Sequence, residues 1–143
     1  MSESTELLEF VYENAKMGEA TLPRVIGAVS RPDLRASLSE QLEEYRAIGG
    51  RAEDLLRRSG IRPREPGGIR QAAVEAMLEM DLLARGSTRR VAEMMIRGST
   101  MGTIQMSKRI HAYQYTADRQ ALDLAGRLLE TEENNIEQMK AFL

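Results

Sequence analysis

Glu132 raises a chemical question before any other residue does. In a helix of ~100° per residue, Ala121, Ala125, Leu128, Leu129, Ile136, Met139 and Leu143 share one face, and Glu132 falls at its centre. Asn135 lies one turn on, on the same side. An unpaired carboxylate buried in such a stripe carries a desolvation penalty of roughly several kcal/mol, so something must neutralise it. Three solutions are open. Glu132 can take up a proton and hydrogen-bond Gln41 or Tyr45, pair with an arginine such as Arg109, or bind a cation.

The upstream half of the chain offers residues for each solution. Leu34, Leu38, Gln41, Tyr45, Ile48, Ala52 and Leu56 form a second stripe, which Gln41 interrupts as Glu132 interrupts the later one. Glu44 lies toward its edge, whereas Glu43 projects to the opposite side. Glu19 flanks an earlier stripe. Carboxylates at Glu132, Glu44 and Glu19 would suit a hard divalent cation such as Mg²⁺, Ca²⁺ or Mn²⁺. Without a metal or other cofactor, Glu132, Asn135, Gln41 and Tyr45 make a buried polar cluster that fixes helix register or receives a small ligand.

No complete catalytic motif accompanies them, and the expectation leans toward a protein that is not an enzyme. The absence of cysteine excludes disulfides and thiolate chemistry. The single histidine, His111, falls near a helix end, where the helix dipole favours it. Nucleophilic catalysis would need Ser99, His111 and a carboxylate to converge, and the expected helical phases separate them. The GSTMG string at 98–102 lies within a helical pattern and lacks the lysine of a phosphate loop.

These residues need long helices to hold them. Lys and Arg total 20 against 22 for Asp and Glu, a net charge of -2 that gives no drive toward nucleic acid. The acidic start MSESTELLEF has no leader pattern and no stretch reaches ~18 apolar residues, so a cytoplasmic protein with no membrane contact is expected. With 143 residues, 4% aromatics and nine methionines, one all-α domain with an aliphatic, Met-padded core is expected over 1–143.

Periodicity and stop signals place helices at about 4–29, 31–58, 69–85, 88–112 and 117–142. Leu7, Val11, Gly18, Leu22, Val25 and Val29 line the first, which Pro23 should bend. Ser30 is the expected N-cap of the second, and Thr116 that of the last. SGIRPREPGG, at 59–68, reads as a basic solvated linker. The 69–85 segment carries Ile69, Ala73, Ala76, Met80 and Leu83 on one face and Val74, Leu78 and Leu82 on another. The second face implies burial between layers, a homodimer contact, or an adaptor surface for another protein. On the 88–112 helix, Gly98 and Gly102 remove bulk from one flank, for close packing or for a ligand.

Two tight hairpins joined by a long crossover resemble the ferritin-like superfamily of four-helix bundles. The resemblance implies an inward ligand set of single glutamates and Glu-x-x-His pairs for a di-metal carboxylate centre. Here Glu132 and Asn135 stand where one such pair is implied, with Asn in place of His. Gln41 and Glu44 stand where another is implied, and both histidines are missing. The resemblance therefore implies a divergent member, with an oxidoreductase or metal-binding protein as the alternative to a non-enzymatic domain.

Overall fold

A computed structural model of the chain describes residues 2–64, 68, 75, 79 and 88–143. Among these residues there are long helices and no strands: α1 (Glu3–Ala28), α2 (Pro32–Arg58), α3 (Thr88–Tyr113) and α4 (Arg119–Lys140). Gly68, Glu75 and Glu79 are also helical. The rest of the 69–85 segment, with Val74, Leu78 and Leu82, lies outside the described residues.

The helices α1, α2 and α4 start where an oxygen meets their free amides. Ser2 caps α1, its hydroxyl accepting the Thr5 amide at 3.1 Å, and Glu3 and Glu6 follow in the first turn. The N-cap of α2 is Arg31 rather than the expected Ser30. Pro32 has no amide to cap, and the Asp33 carboxylate serves the first turn instead, accepting the Leu34 amide at 2.9 Å and the Arg31 Nε at 2.7 Å. The N-cap of α4 is Asp118 rather than Thr116, with Oδ1 accepting the Ala121 amide at 2.9 Å. Thr116 is drawn to the Glu3 carboxylate across the bundle end, so α4 starts at Arg119 rather than 117. Pro23 sits inside α1 without ending it.

Contacts between the ends fix the direction of every helix. The three residues between Ala28 and Pro32 fold α2 back along α1, and Arg35 donates to the Ile26 and Val29 carbonyls at that corner. At the opposite end Tyr113 donates to Glu6 at 3.0 Å and the Asp118 amide donates to Ser4 at 2.7 Å, so α3 ends and α4 begins beside the start of α1. Ser37 of α2 reaches Gln138 near the end of α4. The neighbours α1/α2, α1/α3, α3/α4 and α2/α4 are therefore antiparallel. Since α2 and α3 run the same way, Arg58 and Thr88 lie toward opposite ends of the bundle.

The apolar stripes meet inside. Leu7, Leu22, Leu34, Leu38, Ile48, Leu56, Met106, Leu128 and Met139 are among the fully buried side chains. Each contributes about 1.5–3 kcal/mol by leaving water. All seven positions of the α2 stripe are buried, including Gln41 and Tyr45. Leu143 departs from the expected α4 stripe: it lies past Lys140, where the helical phase no longer holds, and is exposed. The least covered helix is α3, where Val91, Ala92, Ser99 and Met106 are buried while Met94, Met95 and Ile96 are only partly covered.

Candidate functional site

At mid-height the four helices present Gly18, Tyr45, Gly102 and the Glu132–Asn135 turn to one another. Tyr45 Oη donates to Glu132 Oε1 at 2.8 Å, and Asn135 Nδ2 donates to Tyr45 Oη at 3.1 Å. All three residues are buried. The donors run in one direction and end on the carboxylate. Ser99 of α3, which helical phase was expected to hold apart from any carboxylate, is a further hydrogen-bonding neighbour of both the phenol and the carboxylate, because Gly102 lets the Glu132 side chain come close to α3.

Two glycines make the row possible. A β-carbon at Gly18 would lie 2.7 Å from Cγ and Cδ2 of the Tyr45 ring, and one at Gly102 would lie 3.0 Å from Cδ and Oε1 of Glu132. The α1 glycine thus seats the ring and the α3 glycine seats the carboxylate. Gly98 differs, since a β-carbon there would meet nothing within 4 Å among the described residues.

Burial pushes the Glu132 carboxyl above its ordinary value, while hydrogen bonds from Tyr45 and Ser99 pull it back. Burial and the adjacent carboxylate push the Tyr45 phenol well above its own range, so it remains a donor. Glu132 Oε2, buried like the rest of the side chain, has no hydrogen-bond partner among the described residues. Buried polar atoms are normally satisfied, and an unsatisfied one at a charged group is the costliest kind.

Glu132 and Tyr45 also line a cleft of about 720 Å³ between α1 and α3. Its walls include Met17, Met94, Met95 and Met101, and Gly98, Ser99 and Gly102 form the α3 side. The volume lies in the range of small-molecule sites, about 300–1,000 Å³.

The other sequence-selected residues lie elsewhere. Gln41 is buried but turns to Gln138, its Nε2 donating at 3.2 Å, and its Oε1 has no partner among the described residues. It lines a groove of about 400 Å³ between α2 and α4, which Asn135 also borders. Glu44 accepts from Arg127 of α4 at 2.8 Å, and Glu19 pairs with Lys16 at 3.0 Å. Glu19, Glu44 and Glu132 are thus held by separate partners. Among the described residues no three His, Cys, Asp or Glu side chains are grouped to hold a metal ion. Arg109 does not neutralise Glu132; its guanidinium lies 4.5 Å from the centre of the Phe10 ring.

Sequence periodicity singled out Gly98 and Gly102, which line the cleft, but not Met17, Met94 or Met101. Met17 escaped notice, although Met94 and Met101, two turns apart on α3, were a signal that helical spacing carries. Comparison with known family models, curated proteins and solved structures found no match.

Proposed function

We propose that this chain is a divergent ferritin-like bundle that acts as a small-molecule binding protein, with the methionine-walled cleft over Tyr45 and Glu132 as its receptor site. The ferritin-like assignment is supported by the antiparallel neighbours and by the parallel run of α2 and α3, which the one-crossover pattern of such bundles requires. The binding assignment rests on one observation above all: Glu132 Oε2 is buried without a hydrogen-bond partner among the described residues, in a side chain that lines the cleft. A network whose only task was to fix register would have no reason to leave that oxygen unsatisfied. Binding rather than catalysis is favoured because the converging groups are hydrogen-bonded in series to one another.

Methionine ¹³C-methyl spectra test the proposal with 1-octanol as an uncharged probe. Shifts are expected at Met94 and Met95 on titration, and none in Gly98→Phe, whose ring would fill the cleft without meeting a neighbour at its β-carbon. No shift in the wild-type protein, or unchanged shifts in Gly98→Phe, would overturn it.

A further inference from the structure

The floor and walls of the cleft differ in chemistry, and the difference selects an occupant. At the floor, Glu132 is 6% exposed, with Oε1 taken by the Tyr45 hydroxyl and Oε2 unpartnered among the described residues. The row from Asn135 through Tyr45 spends its donors on reaching Oε1. With Glu132 ionised, an acceptor or an anion brought against Oε2 would meet only lone pairs. A donor carrying positive charge would complete that oxygen's bonding and offset the desolvation of the carboxylate.

The rim has the same sign. Among the described lining residues Glu79 joins Glu132, against one guanidinium, Arg97; Glu75 lies there too and has a partner of its own. The walls are apolar, and the thioether side chains of Met17, Met94, Met95 and Met101 adapt to an apolar body without imposing one shape. A hydrated inorganic cation would answer the floor but make no use of these walls.

We infer that the cleft takes a small organic ammonium with an apolar body, its charged nitrogen on Glu132 Oε2 and its hydrocarbon portion along the methionines. The inference rests on the cleft being the small-molecule site proposed above, and it adds the chemical class of the ligand.

Calorimetric titration at neutral pH with octylammonium, 1-octanol and octanoate separates the two. Octylammonium is expected to bind at least about tenfold more tightly than 1-octanol, as one well-placed charge-assisted hydrogen bond provides, and octanoate more weakly than either. In Glu132→Gln the preference for the amine over the alcohol should disappear while 1-octanol still binds. Equal wild-type affinities for the alcohol and the amine would overturn the inference and leave the cleft standing as a binding site. A preference that persists in Glu132→Gln would also overturn it, since the ammonium would then sit elsewhere. Failure of all three probes to bind would overturn both readings. If Glu132→Gln does not fold, the ranking of the three probes on the wild-type protein decides.

Discussion

Gly18→Ala is expected to destabilise the protein by about 2 kcal/mol, although alanine is the better helix former by about 1 kcal/mol. The added carbon would stand 2.7 Å from Cγ and Cδ2 of Tyr45, which are the root of the ring rather than its mobile end. The ring must shift, and its hydroxyl then leaves Glu132 and Asn135. Gly50→Ala is the matched control: in α2 its β-carbon meets nothing within 4 Å, so it should stabilise by about 0.5–1 kcal/mol. Chemical denaturation of both variants makes the comparison. Equal stabilisation by both would mean that Tyr45 does not sit on Gly18.

Glu132→Met is expected to stabilise the unliganded protein at neutral pH by about 1–3 kcal/mol, because an apolar side chain of similar volume replaces a buried, half-satisfied carboxylate. Sites that bind ligands often carry such a stability deficit. The pH dependence follows from the sign of the shift. With the folded-state pKa raised above the ordinary 4.5, the folded chain holds a proton that the unfolded chain has already released. The contribution of Glu132 to stability is therefore fully present below 4.5 and is lost as the pH rises through the raised folded value. The advantage of Glu132→Met should accordingly be largest at neutral pH and shrink toward pH 4.5 and below, as paired denaturation curves would record. A loss of several kcal/mol at every pH would instead mark the Tyr45–Glu132–Asn135 row as a structural lock.

Much of the fold follows from stripes and stops. The α2 stripe is buried at every expected position because its period holds unbroken over about six turns of regular helix. Caps were less legible. Ser30 and Thr116 have suitable hydroxyls, but Asp33 and Asp118 bring full charges to the same amide ends and win.

Periodicity also identified Tyr45, Glu132 and Asn135 as inward polar residues, and the structure joins them. It could not assign partners, because a helical phase says which face a residue takes and not what opposes it. Hence Gln41 is buried as expected yet meets Gln138, while Glu44 and Glu19 find Arg127 and Lys16. The roles of Gly18 and Gly102 were hidden for the same reason. Each is defined by a side chain on another helix that enters the space it leaves.

The most direct test of the account is the carboxyl carbon of Glu132, followed by ¹³C NMR through a pH titration with and without octylammonium. The predicted result is a carboxyl that titrates above the ordinary range in the free protein and moves down when octylammonium saturates the cleft, because the ammonium stabilises the charged form. A Glu132 carboxyl that titrates in the ordinary range and does not respond to octylammonium would contradict it.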